Sequence, residues 1–253
     1  MPNNKAKILN GAKSIFVANV KGGVGKSTLS IMLARSLAER IPPQNITVID
    51  TDLQRTSTEF LSKSNPEINV EFLPITPAFE NTNISLVQQF IKQNEFRPGH
   101  VAIVDTPAGS SQRLWNLVAE GYCVLIPTTL SNADLFPTEN FIRSMDKVKA
   151  RYGKSYPHLI VCPNKIPFGQ KDFSLMAERL KNHDVVIGPA LRDMASVRHF
   201  YNGKVENWEG KINTNAQSDF KQFGSFIEKF VLGEELDKIY SQKDIPKNVV
   251  PIR

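Results

Sequence analysis

The chain has 253 residues, of which 41% are hydrophobic and 22% are charged, and it contains 14 glycines and 16 prolines. A chain of this length can bury a substantial core, and its composition excludes collagen-like, coiled-coil and wholly disordered proteins. No stretch reaches the roughly 18 consecutive apolar residues that a membrane span needs, and residues 1–7 lack the apolar segment of a signal peptide. We therefore expect a folded, cytoplasmic protein with no membrane partner.

Seven short runs rich in valine and isoleucine alternate along the chain with longer segments that have helical periodicity. The predicted strands span 14–19, 46–49, 70–73, 101–104, 123–126, 159–162 and 185–187. The predicted helices span about 26–40, 56–64, 83–95, 110–119, 134–151, 172–182, 192–201 and 215–232. Near-continuous apolar strands that alternate with helices are typical of βαβ crossovers. The predicted fold is α/β, with a doubly wound, mostly parallel sheet and helices on both faces.

The cysteines and the proline pattern indicate how the chain is organised. Cys123 and Cys162 lie within apolar runs, so we expect buried thiols rather than a disulfide framework or a cysteine metal site. We predict one domain over residues 1–233 and a short C-terminal tail over 234–253, where two prolines oppose a long helix.

The net charge of +6 is unevenly distributed. Residues 1–139 contain 12 basic and 12 acidic side chains, residues 140–233 contain 15 and 9, and the last twenty contain 4 and 4. A basic excess in one region indicates a polyanion partner, and a solvated face of mixed sign is the alternative.

A glycine-rich segment between the first strand and the first helix is the strongest functional signal. It comprises Lys21, Gly22, Gly23, Val24, Gly25, Lys26, Ser27 and Thr28. The glycines let the backbone approach phosphate oxygens, and N–H groups of the loop and helix N-terminus can face the anion. Lys26 would then reach the β- and γ-phosphates and Ser27 would bind Mg²⁺, as in a P-loop NTPase. The alternative is a glycine-rich turn before an ordinary helix.

Val20 stands where the general P-loop pattern has its first glycine, and the segment matches the deviant form K-G-G-x-G-K-[ST] instead. In this it resembles the partition-ATPase superfamily that includes ParA, MinD and the nitrogenase iron protein. The resemblance implies a homodimer that encloses ATP, with Lys21 reaching the phosphates of the partner's nucleotide. An ordinary exposed lysine is the alternative for Lys21.

Acidic residues follow two other predicted strands. Asp50 and Asp52 resemble the D-x-D-x-Q element of the same superfamily, although Leu53 replaces the commoner proline. By that resemblance both lie near the γ-phosphate, where Asp50 holds Mg²⁺-bound water and Asp52 orients the attacking water. The alternative is a pair of carboxylates that cap the next helix.

Asp105 ends an apolar strand, which is the Walker B arrangement, so it would hold Mg²⁺ through a water molecule. The loop over 106–111 would sense the γ-phosphate. Because carboxyl ends of parallel strands meet at one edge of a sheet, the three elements should converge.

Adenine is the expected base, because Pro167 stands where an N-K-x-D motif would supply the aspartate that pairs with guanine. The resemblance implies base contacts from Asn164 and Pro189, for which turn formation after a strand is the alternative. A small-molecule kinase is the alternative enzyme class, but 187–203 resembles the closing region of partition ATPases rather than an arginine-bearing lid. The first strand begins close to residue 1, so we expect no helix-turn-helix extension and no autoregulation by specific DNA binding.

The predicted function is that of a small ParA-type ATPase, weakly active and stimulated by a ParB-like or adaptor protein. It would dimerise on ATP, bind DNA without sequence preference at the nucleoid, and segregate a cargo such as a plasmid. The candidate DNA contacts are Arg192, Arg198, Lys204, Lys221 and Lys229. The alternative is the same ATP switch acting on a protein partner in conjugation, chemotaxis or flagellar assembly.

Overall fold

The computed structural model describes residues 13–94, 97, 99–109, 111–152, 157–193 and 214–231. The strands are β1 (Lys13–Val17), β2 (Ile46–Asp50), β3 (Asn69–Phe72), β4 (Val101–Asp105), β5 (Cys123–Thr128), β6 (His158–Pro163) and β7 (Val185–Ile187). They form one parallel sheet in the order β3-β2-β4-β1-β5-β6-β7. The predicted fold class and all seven predicted strands are confirmed.

The helices are α1 (Lys26–Ala38), α2 (Thr56–Ser64), α3 (Glu80–Asn94), α4 (Gln112–Val118), α5 (Asn132–Tyr152), α6 (Ser174–Leu180) and α7 (Thr214–Val231). A short 3-10 turn at Pro43–Asn45 precedes β2. α6 begins two residues later than predicted, because the Asp172 carboxylate accepts a hydrogen bond from the Ser174 amide and so lies ahead of the first residue of the helix. The predicted helix at 192–201 lies mostly outside the described residues.

The helices cover the sheet in two layers, each over its own hydrophobic core. One core joins α1, α2 and α7 to strand side chains such as Ile15 and Val17. The other joins α3, α4, α5 and α6 to side chains on the opposite face, such as Phe16. The central strands are buried on both faces as predicted, whereas β3 alternates between exposed and half-buried residues because it is an edge strand.

The last helix, α7, buries one face and exposes the other. Phe223 and Ile227 are buried in the core beneath α1, while Lys221 and Lys229 are exposed. Both cysteines are free and buried, as expected. Among the described helices, none has the length and apolar character to cross a membrane.

Candidate functional site

Three strands end side by side at the centre of the sheet. The parallel register places Asp105 of β4 beside Val17 of β1 and beside Asp50 of β2. The Thr51 hydroxyl donates to the Asp105 carbonyl at 2.7 Å, and the Thr106 hydroxyl donates to the Val17 carbonyl at 2.9 Å. The glycine-rich loop and the two acidic elements therefore meet at the carboxyl ends of β1, β2 and β4.

The glycine-rich loop passes from β1 to α1 in a conformation that favours glycine. Gly23 and Gly25 have φ values of 75° and 95°, in the left-handed region. A Cβ at Gly25 would also meet the side-chain nitrogen of Asn164. Lys26 is only 7% exposed, and its Nζ donates to the Lys21 carbonyl across the loop at 3.1 Å. The loop is thus a compact turn with a buried ammonium group at its centre.

The two residues that follow β6 bind the backbone of the glycine-rich loop. Asn164 is buried and its Nδ2 donates to the Val24 carbonyl at 2.8 Å. Lys165, with a φ of 54°, donates from Nζ to the Gly23 carbonyl at 2.7 Å. Asn164 therefore lies against the backbone of the glycine-rich loop, and its predicted contact with adenine stays a prediction. Pro189 is buried two residues after β7, and its predicted contact with adenine also stays a prediction.

The Asp105 carboxylate is completely buried. Its Oδ2 accepts a hydrogen bond from the Ser57 hydroxyl at 2.6 Å, whereas its Oδ1 has no hydrogen-bond partner in the described part of the chain. Burial and the charge of Asp50 raise the pKa of Asp105 to about 7, against the opposing effect of the Ser57, Ser27 and Ser30 hydroxyls. An unpartnered buried carboxylate oxygen is costly, so this atom suits a cation.

The ammonium group of Lys26 interacts with the carboxylates of Asp105 and Asp52. Burial lowers the pKa of Lys26, and the charges of Asp105 and Asp52 oppose that shift. Lys26, Asp105 and Asp52 are therefore close enough for their charges to interact, as the sequence predicts for one phosphate and metal site.

Asp50 and Asp52 differ in their surroundings. Asp50 is fully buried; its Oδ1 accepts from the Asp52 amide and its Oδ2 from the amide and hydroxyl of Thr58. Burial raises the pKa of Asp50, and these hydrogen bonds oppose the rise. Asp52 is half-buried and accepts from the Gln54 amide at 3.0 Å. Asp50 thus also binds the start of α2, as the helix-capping alternative proposed.

Lys21 extends from the loop toward the start of α5. Its Nζ lies 3.7 Å from Asp134 Oδ1, and its side chain is 42% exposed. The other oxygen of Asp134 accepts from the Thr129 hydroxyl at 2.6 Å. Lys21 is thus a partly exposed cation beside the loop, in contrast to the buried Lys26.

The candidate DNA contacts have different environments. Arg192 donates from Nε to Asp219 of α7 at 2.9 Å, so its guanidinium joins the segment after β7 to α7. Lys221 and Lys229 are exposed on α7. Arg198 and Lys204 lie outside the described residues.

Four residues of this region were not selected by the sequence reasoning: Ser57, Thr58, Asp134 and Lys165. Lys165 directly follows Asn164, and this position was a weak signal for a role at the site. Ser57 and Thr58 are hydroxyl residues at the start of the helix after the Asp50–Asp52 element, which was also a weak signal. The charge of Asp134 at the predicted helix start was a further signal, but its pairing with Lys21 depends on the fold.

Comparisons with known proteins agree with this geometry. The family model described as the CobQ/CobB/MinD/ParA nucleotide binding domain matches residues 15–247. A protein named ParA from Rhizobium radiobacter is 33% identical over 113 residues, which are 45% of this chain and 47% of that protein. The chain therefore spans about half the length of this curated relative.

Two solved structures have the same fold. Apo McdA from Cyanothece superposes with a TM-score of 0.66 at 14% identity, covering 85% of this chain and 99% of that one. MinD from Pyrococcus horikoshii OT3, complexed with Mg-ADP, has a TM-score of 0.60 at 16% identity, covering 88% of this chain and 100% of that one.

The buried charge of Asp105 predicts the effect of the substitution Asp105→Asn on stability. At pH 8, above its pKa of about 7, the parent protein must hold a desolvated carboxylate, and the isosteric amide removes that cost. We expect Asp105→Asn to raise the free energy of unfolding of the metal-free protein at pH 8 by up to about 4 kcal/mol.

The gain should be smaller at pH 5, where the folded parent keeps this carboxyl group protonated. Urea denaturation at both pH values measures the difference, and Glu71→Gln, at an exposed carboxylate of β3, is the control. Equal stability of Asp105→Asn and the parent at pH 8 would contradict the buried charge.

Proposed function

Because the chain belongs to the CobQ/CobB/MinD/ParA nucleotide-binding family, we propose that it is a partition or positioning ATPase of the small ParA type. In this proposal it dimerises on ATP, binds DNA without sequence preference and segregates a cargo such as a plasmid, with hydrolysis stimulated by a partner protein. It comprises one domain over 1–233 and a tail over 234–253, and acts in the cytoplasm at the nucleoid. The observation that carries the proposal is that β1, β2 and β4 end side by side, which places the glycine-rich loop with Lys26 next to Asp50 and Asp105.

The nucleotide would bind over the loop at 21–28. Backbone N–H groups at Gly22, Gly23, Val24 and Gly25 and at the start of α1, including Thr28, suit phosphate oxygens because a helix N-terminus attracts anions. The buried ammonium of Lys26 supplies a positive charge beside them. Lys26 thereby binds the β- and γ-phosphates of the nucleotide held by the same chain.

Mg²⁺ fits the donor set at Asp105 and Ser27. Mg²⁺ usually takes one or two protein carboxylates and completes its shell with phosphates and water. Within the described residues, no group of three or more His, Cys, Asp or Glu side chains could hold a metal ion by itself. Ser27 and Asp105 would therefore hold Mg²⁺ together with the nucleotide, with Asp50 acting through water. The ion would neutralise phosphate charge during transfer.

Asp52 is the better candidate to orient the attacking water. Asp50 uses both carboxylate oxygens to bind backbone and hydroxyl groups near α2 and is fully buried. Asp52 is more accessible, and its charge acts on Lys26. We assign Asp50 to holding the α2 start beside the metal and Asp52 to aligning water for attack on the γ-phosphate.

Lys21 would act across a dimer interface. It is much more exposed than Lys26, and its partner Asp134 lies on α5 rather than in the phosphate site. A partly exposed lysine at the edge where nucleotide would bind can reach the phosphates of a second chain's nucleotide. This supports the assignment of Lys26 to its own chain's nucleotide and of Lys21 to the partner's.

The two lysines should therefore respond differently to substitution. Lys26→Ala should abolish nucleotide binding, whereas Lys21→Ala should bind ATP but neither dimerise nor hydrolyse it. Fluorescent-nucleotide titration, light scattering and phosphate release measure the three properties. Lys92→Ala, at an exposed lysine of α3 away from the loop, is the control and should keep ATP-dependent dimerisation. Equal loss of ATP binding in both test variants would contradict the trans assignment of Lys21.

The DNA-binding part of the proposal depends on exposed cations. Of the five candidates, Arg192 is engaged by Asp219, whereas Lys221 and Lys229 are available at the surface of α7. The support comes from these two lysines alone, because the neighbouring surface groove has a lining of mixed charge in which Arg40 pairs with Glu228. This supports α7 as the centre of the contact with DNA phosphates.

Charge reversal of Lys221 and Lys229 together should weaken binding of ATP-bound protein to random duplex DNA. Each lost phosphate contact should reduce the slope of log affinity against log salt by about 1. Fluorescence anisotropy at several salt concentrations measures both effects, and Lys92→Glu on α3, on the opposite face of the sheet, is the control. Unchanged affinity and slope would refute this placement. Absence of DNA binding by the unmodified ATP-bound protein would favour the switch that acts on a protein partner.

A further inference from the structure

The first turn of α2 contacts both buried carboxylates of the site. Ser57 is fully buried and donates its hydroxyl proton to Asp105 Oδ2 at 2.6 Å. Thr58 donates to Asp50 Oδ2 from its amide at 2.9 Å and from its hydroxyl at 3.0 Å. One helix start is thus bonded to the ends of two neighbouring strands.

The hydrogen bond from Ser57 to Asp105 is unusual for a serine near a helix start. Such a side chain normally accepts from backbone amides of its own helix. Here α2 begins after Arg55, which has a left-handed φ of 54° and provides no side-chain cap. The Ser57 hydroxyl points instead to a carboxylate 48 residues further along the chain.

This hydrogen bond distinguishes the two oxygens of Asp105. The main chain of Asp105 is fixed by the sheet register and by the Thr51 hydroxyl, but neither contact restrains rotation of the carboxylate. Ser57 donates to Oδ2 at 2.6 Å and is the strongest of the three serine hydroxyls that act on this carboxylate; Ser27 and Ser30 act more weakly, and Oδ1 is buried without a hydrogen-bond partner in the described part of the chain. Hydrogen bonds to charged groups are among the stronger ones, so a single one can hold the orientation.

We propose that Ser57 is a positioning residue that fixes the Asp105 carboxylate so that Oδ1 is the oxygen presented to Mg²⁺. The inference rests on the proposed function, because it assigns Mg²⁺ to Asp105. The same contact couples the orientation of Asp105 to the position of α2. Metal binding at Asp105 and the placement of the Asp50–Asp52 segment, which leads into α2, are therefore linked through one hydroxyl group.

The test compares Ser57→Ala and Ser57→Cys with Ser62→Ala, which alters an exposed serine of the same helix. The affinity of each full-length protein for a fluorescent ATP analogue is measured in excess EDTA and over a Mg²⁺ titration, together with the melting temperature. Loss of a residue that orients a metal ligand typically weakens metal affinity 10- to 100-fold. Ser57→Ala should thus raise the Mg²⁺ concentration for half-maximal effect about tenfold or more and leave the affinity in EDTA unchanged.

Ser57→Cys nearly keeps the side-chain volume but has a weaker donor, so it should give an intermediate Mg²⁺ requirement, and Ser62→Ala should match the parent. An unchanged Mg²⁺ requirement in Ser57→Ala would overturn the assignment. So would an equal loss of affinity with and without Mg²⁺, which indicates a packing role. If the unmodified protein binds the analogue without any effect of Mg²⁺, the proposed metal site fails, and the inference about Ser57 fails with it.

Discussion

A carboxylate excluded from solvent, that of Asp105, is the constraint on which the rest of the site depends. Its burial raises its pKa to about 7, so the charged form is costly unless a cation or hydrogen-bond donors accompany it. The strand order places β4 between β1 and β2, which brings the glycine-rich loop to one side of Asp105 and Asp50 to the other. The buried ammonium of Lys26 completes this arrangement and partly compensates the acidic charge.

The two halves of the sheet contribute different parts of the site. On one side of β1, the ends of β2 and β4 provide the carboxylates, and α2 holds them through Ser57 and Thr58. On the other side, the end of β6 holds the glycine-rich loop through Asn164 and Lys165. From β1 the chain crosses to β2 on one side of the sheet, and from β4 it crosses to β5 on the other side, so the direction of the connections reverses at the adjacent strands β1 and β4. Ligands of parallel α/β sheets bind where the connections reverse in this way. Phosphate and metal binding therefore meet over β1.

Much of the fold follows from local sequence patterns. Apolar runs of valine and isoleucine predict the central strands because such strands are buried on both faces, and the residues that end β2 and β4 follow directly from strand boundaries. The edge strand β3 keeps a weaker pattern and is half-exposed. Helix boundaries shift where a side chain binds a backbone amide at the helix start, as Asp172 does before α6.

The contacts that complete the site are not predictable in this way because they join distant parts of the chain. Ser57 and Asp105 are 48 residues apart, and Lys165 and Gly23 are 142 apart, so no local periodicity reports either contact. The DNA contacts inferred from the basic excess of residues 140–233 are subject to the same limitation. The sequence does not show that the Arg192 guanidinium is paired with Asp219. Charge counts give the sign of a region, but only the fold shows which cations are available to a partner.

The most direct test of the account is calorimetric titration of the unmodified protein with ATP and with GTP, each in Mg²⁺ and in EDTA. A phosphate site built from the loop at 21–28 and a metal site at Asp105 predict that ATP binds and that Mg²⁺ tightens its binding. Pro167, in place of the aspartate that pairs with guanine, predicts that GTP binds more weakly. Absence of ATP binding, or the same ATP affinity in Mg²⁺ and in EDTA, would contradict the joint phosphate and metal site.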